Sequence, residues 1–126
     1  MRVAIVDDDE SVCRSLLRLL RSAGMKPTAF LSAEEYLASP LRAAFRCVVS
    51  DVLFRSGTPG LQLRQRMLDE GDPTPVVFFT AHDDVETQIA AQRLGCAAFV
   101  PKDEPMLLLE ALREIERRRL LSGGKD

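Results

Sequence analysis

Four short apolar runs of this 126-residue chain lead straight into side chains that can handle charge. "RVAIV" is followed by Asp7 and Asp8, "CVVS" by Asp51, "PVVFFT" closes on Thr80, and "AAFV" is followed after one proline by Lys102. Taken singly, each has a plainer use: Asp8 or Asp9 can cap a helix, Asp51 can open a turn, and Thr80 can end a strand. Taken together, three converging carboxylates would repel and raise one another's pKa unless a cation sits among them. Mg2+ suits that need, since it prefers oxygen ligands, commonly uses one or two carboxylates, and keeps waters that a phosphate oxygen can replace. The amine of Lys102 and the hydroxyl of Thr80 are donors for the same phosphate.

Such convergence requires a scaffold that brings strand ends to one edge, and the chain alternates its signals accordingly. "RVAIV" reads as a strand, and Glu10 to Gly24 carries Val12, Leu16, Leu19 and Ala23 at helical spacing, with Gly24 as the stop. "KPTAF" is a weaker second strand. Ser32 and Glu35 form a capping-box pattern before a short helix reaching about Leu37, and Pro40 lies just beyond. "CVVS" is the third strand, followed by a loop with Gly57, Pro59 and Gly60 and a helix over Leu61 to Glu70. "PVVFFT" is the fourth strand, and Asp83 to Leu94 reads as a capped helix with Val85, Ile89 and Ala90 facing inward. "AAFV" is the fifth, and the last helix starts near Glu104 and Pro105 and runs to Leu121.

Strands alternating with helices, each strand apolar enough for burial on both faces, predict an open parallel sheet with helices on both sides. In such sheets ligands bind beyond the carboxyl ends of the strands, which is where every candidate residue falls. The length fits one domain, taken as residues 1–121, with "SGGKD" at 122–126 expected to be a flexible tail.

Composition narrows the function classes. With 17 basic and 19 acidic residues the net charge is -2, which gives no general attraction to nucleic acid or to an anionic membrane. Cys13, Cys47 and Cys96 are odd in number and widely spaced, so neither a disulfide framework nor a zinc spacing is present, and reduced, buried thiols are expected. No signal-peptide core or membrane-spanning run occurs, which predicts a soluble, cytoplasmic chain.

"IVDDD", "VVSD", "FFTA" and "FVPK", in this order and at this approximate spacing, resemble the response-regulator receiver domains of two-component signalling. "TAHDDVETQIAAQRLGCAAFVPK" is most similar to receivers of the FixJ type, which often precede a LuxR-like DNA-binding domain. The resemblance implies a flavodoxin-like (βα)5 doubly wound fold with strand order 2-1-3-4-5. It implies that Asp51 accepts a phosphoryl group from a histidine kinase or histidine phosphotransfer protein, forming an acyl phosphate. Mg2+ would be held by Asp7, Asp8, Asp51 and the backbone carbonyl of Leu53, with Asp8 the direct ligand and Asp7 acting partly through water. Thr80 would close onto the phosphoryl oxygens, Lys102 would pair with them, and Phe99 would change its burial as Thr80 moves.

The readout would lie on the fourth helix, fifth strand and fifth helix, through a homodimer or an output domain. "MLLLEAL" at 106–112 has more apolar residues than one helix face needs, whereas Arg117 to Arg119 reads as a solvated helix end. His82 reads as a loop residue near the pocket. Two features depart from the family pattern. Lys102 is followed by Asp103 instead of the usual proline, so the loop there should run differently, through a trans bond, and Asp103 adds negative charge. Arg55 stands where a proline is common, and the loop glycine falls about one residue late. Two other readings stay open: a receiver-fold interaction domain that works without phosphorylation, and a haloacid-dehalogenase-like phosphatase with Asp7 as nucleophile and Asp9 as acid/base. A dinucleotide module is disfavoured because no G-x-G-x-x-G follows the first strand.

Overall fold

The strand runs pair side by side in the computed structural model, which describes residues 1–55 and 57–123. Strands β1 (Arg2–Val6), β2 (Lys26–Phe30), β3 (Cys47–Ser50), β4 (Val76–Thr80) and β5 (Ala98–Pro101) form one parallel sheet in the order β2-β1-β3-β4-β5. Helices α1 (Glu10–Ser22), α2 (Ala33–Ala38), α3 (Gly60–Asp69) and α4 (Val85–Arg93) provide the crossovers, α5 (Pro105–Leu121) follows the last strand, and a 3-10 turn lies at Arg42–Ala44.

Side-chain alternation along each strand sends residues to two separate cores. On one face Val3, Ile5, Val77 and Phe79 meet Leu16 and Leu20 of α1 and Leu108 and Leu112 of α5. On the other, Ala4, Val6, Val48 and Phe78 meet Tyr36 of α2, Leu63 and Met67 of α3 and Ala91 of α4. Each fully buried side chain of this size contributes about 1.5–3 kcal/mol, so both helix layers hold the sheet flat against competing registers. Burial pushes the Cys13 thiol up to about 11 and that of Cys47 up to about 12. All three cysteines are free thiols, but Cys96 is only half-buried.

Helix α4 corrects the sequence expectation. Val85 is 70% exposed and Ile89 42%, Ala90 is only partly covered, and the residue that meets the sheet is Ala91. Ala91 lies two residues from Ile89, about 200° round the helix, so the face that packs is the small-residue face and the branched residues look outward. The C-terminal end of α4 is fastened by Arg64 of α3, whose buried guanidinium donates to the carbonyls of Leu94 at 3.0 Å, Gly95 at 3.2 Å and Thr74 at 3.3 Å. In α5 the apolar run divides: Leu108, Leu109 and Leu112 are buried, whereas Met106 and Leu107 are exposed.

The helix ends follow their caps. Asp9 accepts from the N–H groups of Ser11 and Val12, Ser32 from that of Glu35, and Asp84 from that of Thr87. Near the end of α5, Glu114 pairs with Arg117 and Arg118, and these partners pull its carboxyl down to about 2. The expected tail falls partly outside the described residues, at Gly124–Asp126; Ser122 still bonds back to the Arg118 carbonyl. Among the described residues no helix is long and apolar enough to cross a membrane.

Candidate functional site

The sheet ladder itself delivers the polar residues to one edge. One residue past the strand ends the pairing continues: Asp7 N–H donates to the Phe30 carbonyl at 3.1 Å, Asp51 N–H to that of Val6 at 3.2 Å, and Lys102 N–H to that of Thr80 at 3.0 Å. Backbone bonds therefore fix Asp7 and Asp51 at the ends of the neighbouring strands β1 and β3, and Lys102 at the end of β5, one strand beyond β4.

The side chains then meet. The Lys102 ammonium bridges Asp7 Oδ2 at 2.9 Å and Asp51 Oδ2 at 2.8 Å, and the Thr80 hydroxyl donates to Asp51 Oδ1 at 2.6 Å. Each oxygen of the Asp51 carboxylate thus has its own donor. Thr80 is fully buried and its Oγ1 accepts the His82 N–H at 3.0 Å, which ties the loop before α4 to the same hydroxyl. A cleft of about 350 Å³ opens over this group, walled by Asp8, Asp51, Leu53, Arg55, His82 and Lys102 among others. Phe99 is half-buried, with its ring 6.5 Å from that of Phe78.

Electrostatics explain the lysine's position. Burial raises the Asp7 carboxyl above its ordinary value, and the Asp9 N–H and Lys102 pull it back only in part. Burial alone would lower the Lys102 ammonium, but its bonds to Asp51 and Asp7 outweigh that, and the net shift is upward. Lysine is therefore the built-in counter-charge between two carboxylates that the sequence reading assigned wholly to a metal.

Asp8 lies on the wall of the same cleft, where its Oδ2 accepts the Arg55 backbone N–H at 2.5 Å. Among the described residues no three acidic, histidine or cysteine side chains form a ready metal cage. The donor chemistry nevertheless fits Mg2+, because the carboxylates are hard oxygen ligands and this ion is commonly held by one or two of them, with water completing its shell. Burial keeps Asp7 raised even with Lys102 in place, so a further cation beside it would favour its charged form.

Asp9 is engaged at the α1 N-terminus, where the Val12 N–H and then that of Ser11 hold its carboxyl below the usual range. Both bonds go to Asp9 Oδ1. Past Lys102 the chain turns tightly, with the Glu104 N–H on the Pro101 carbonyl at 3.0 Å; Asp103 is exposed. No peptide bond among the described residues is cis.

Four contacts had no clear sequence signal. The Ser50 hydroxyl donates to the Asp51 carbonyl at 2.8 Å. Glu34 of α2 accepts from Thr58, and Arg55 from the same loop reaches Asp8 through its backbone. Gly60 packs so closely that a Cβ there would lie 1.7 Å from the Asp51 carbonyl oxygen and 2.9 Å from Ser50 Oγ. Gly60→Ala should cost about 3 kcal/mol, since the obstacle is backbone that cannot step aside. Urea unfolding measures that loss, and a variant as stable as the parent would contradict this packing.

A family model for the response regulator receiver domain matches residues 3–113. The chain belongs to the response regulator receiver domain family. This receiver domain is similar to the transcriptional regulatory protein FixJ of Bradyrhizobium diazoefficiens, 37% identical over 100 residues, which cover 79% of this chain and 48% of that protein. It is also similar to FixJ of Azorhizobium caulinodans, 35% identical over 125 residues, covering 98% of this chain and 59% of that one. Among solved structures it resembles FixJ-N, with a TM-score of 0.80, 28% identity, and coverage of 92% of this chain and 93% of that one. The receiver domain spans about half the length of these curated relatives.

Proposed function

We propose that this receiver domain is a phosphorylation-dependent signalling switch in which Asp51 accepts a phosphoryl group from a histidine kinase or a histidine phosphotransfer protein. The observation that carries this reading is the Asp51 carboxylate held by two donors of different kinds, Thr80 and Lys102, at the base of an open cleft. A carboxylate oxygen of Asp51 attacks phosphorus, the phosphorus–nitrogen bond of the donor phosphohistidine breaks with its electron pair going to nitrogen, and the imidazole leaves neutral, keeping the proton already on its other ring nitrogen. Positioning and charge neutralisation dominate the barrier of such transfers, so no general base is required. Asp7, Asp8, Asp51 and the Leu53 carbonyl are the residues that would hold Mg2+, whose chemistry in such sites is to neutralise phosphoryl oxygens.

Charge-assisted hydrogen bonds contribute about 1.5–3 kcal/mol each, and moving an equilibrium from 1:99 to 99:1 takes about 5.5 kcal/mol of differential stabilisation. Thr80 and Lys102 already hold the unmodified carboxylate, so the drive is the difference between binding a carboxylate and binding the more highly charged phosphoryl group. As Thr80 follows the phosphoryl oxygens it carries the His82 N–H with it, and Phe99 shifts its burial. The readout surface is α4, β5 and α5, where Val85, Ile89, Met106 and Leu107 offer apolar contact to a second copy or to an output domain. We take residues 1–121 as the switching unit of a cytoplasmic response regulator, acting on transcription through an output domain without itself touching DNA. It is not a turnover enzyme, although it assists its own phosphorylation and hydrolysis.

Incubation with acetyl phosphate and Mg2+ tests the reading. One phosphoryl group per chain is expected in the intact mass. No uptake would favour an interaction domain that works without phosphorylation, and steady turnover of a phosphate ester would favour the hydrolase. Magnesium alone should also raise the melting temperature: an ion at about 100 times its dissociation constant stabilises the native state by about 2.7 kcal/mol. A flat melting temperature across the millimolar range would contradict a cation site at these carboxylates.

A further inference from the structure

The β3–α3 loop leaves the sheet at Asp51 and returns at Gly60 against the carbonyl of that same residue. A contact this close can fix the Asp51 backbone only as well as the loop is itself fixed. Arg55 leaves the middle of the loop without the stiffness of a proline, so the restraint has to come from bonds to other elements.

The Asp8 carboxylate holds the Arg55 N–H, and Glu34, in the first turn of α2, holds the second half of the loop. The Glu34 carboxylate accepts the Thr58 N–H at 3.2 Å and also the Thr58 hydroxyl. Gly57, at φ 80°, lies directly under the same group, where a Cβ would come within 3.1 Å of Glu34 Oε1. Pro59 follows, and its carbonyl accepts the Leu63 N–H at 3.0 Å, so the grip on Gly57 and Thr58 passes straight into the start of α3 and to Gly60. The Thr58 hydroxyl is the main influence holding the Glu34 carboxyl below its ordinary value, as expected of a carboxylate that is bonded in its charged form.

We propose that Glu34 is a positioning residue for phosphoryl transfer to Asp51, acting through Thr58 and Gly60 on the phosphoacceptor backbone without touching the reacting atoms. The inference rests on the phosphoryl-transfer reading above. Helix α2 thereby becomes part of the reaction machinery, and the substitution of Arg55 for proline is offset by a bond from another element.

The initial rate of phosphorylation by acetyl phosphate in saturating Mg2+ tests it with four variants. Glu34→Ala and Thr58→Val should each slow the rate by roughly tenfold to a hundredfold, the loss that follows when a nucleophile is misplaced by up to about 1 Å. The double variant should be no slower than either single one, because both remove the same bond. Glu34→Gln, which keeps an acceptor oxygen, should recover to within about threefold of the parent, while melting temperatures stay within about 2 °C. The loss should appear in the rate at saturating acetyl phosphate and not in the concentration that half-saturates it. Parent-like rates in the two single variants, or losses that multiply in the double variant, would overturn the inference. If the parent chain itself took up no phosphoryl group, the phosphoryl-transfer reading would fall instead.

Discussion

Asp51→Asn should take up no detectable phosphoryl group, a loss of at least about 10³-fold, because the amide has no nucleophilic carboxylate oxygen to form the acyl phosphate. The variant should nevertheless fold, with stability within about 1 kcal/mol of the parent. Two effects oppose each other. The amide offers Thr80, Lys102 and the Leu53 N–H one acceptor oxygen where the carboxylate offers two. Against that, the charge of Asp51 is one of the influences that raise Asp7, and removing it leaves Lys102 to neutralise a single buried carboxylate. Intact mass after acetyl phosphate and a urea unfolding curve measure both halves. Undiminished uptake would move the acceptor to another residue, and a collapse in stability would mean that Asp51 is chiefly structural.

Lys102→Met should destabilise the fold by about 3 kcal/mol at neutral pH, because the buried carboxylates of Asp7 and Asp51 lose the cation they share. The sign with pH follows from Asp7, whose folded-state pKa is raised by burial even in the parent. A raised carboxyl pKa means the folded state binds its proton more tightly than the unfolded chain does. Stability from this group is greatest below the unfolded value and falls as pH rises through the raised one. Without Lys102 that raised value climbs further, so the gap between variant and parent should shrink as pH is lowered from about 8 towards about 4. The parent has a second window: its Lys102 pKa is raised, so the stability it supplies is complete below the ordinary lysine value and is lost above the raised one. Urea midpoints across pH resolve these trends. A gap that stays constant from neutral to acid would show that the two carboxylates do not depend on the lysine's charge.

The edge of the sheet was legible in the sequence because its signals are local. Branched apolar runs broken by Asp7, Asp51 and Lys102 mark strand ends, and the parallel topology brings such ends together. The partners within that edge were not legible, since they depend on distances between strands. Nothing in the spacing says that Lys102 lies between Asp7 and Asp51, or that Asp8 accepts the Arg55 N–H. Glu34 reads simply as an acid favoured in the first turn of a helix, and its hold on Thr58 arises from a loop 24 residues away in the chain. The packing of α4 was misread for a related reason. Val85 and Ile89 at a spacing of four imitate a buried stripe, but the α4 side chain that reaches the core is that of Ala91. The apolar pair left outside belongs to the surface assigned above to the readout.

The most direct test of the account is to locate the modified residue. After acetyl phosphate and Mg2+, borohydride reduces an aspartyl phosphate to homoserine, which peptide sequencing by mass spectrometry can place in the chain. Homoserine at position 51 alone, absent when acetyl phosphate or Mg2+ is omitted, is the predicted result. Homoserine at position 7 or 8, or unmodified aspartate at 51 under full phosphorylation conditions, would contradict it.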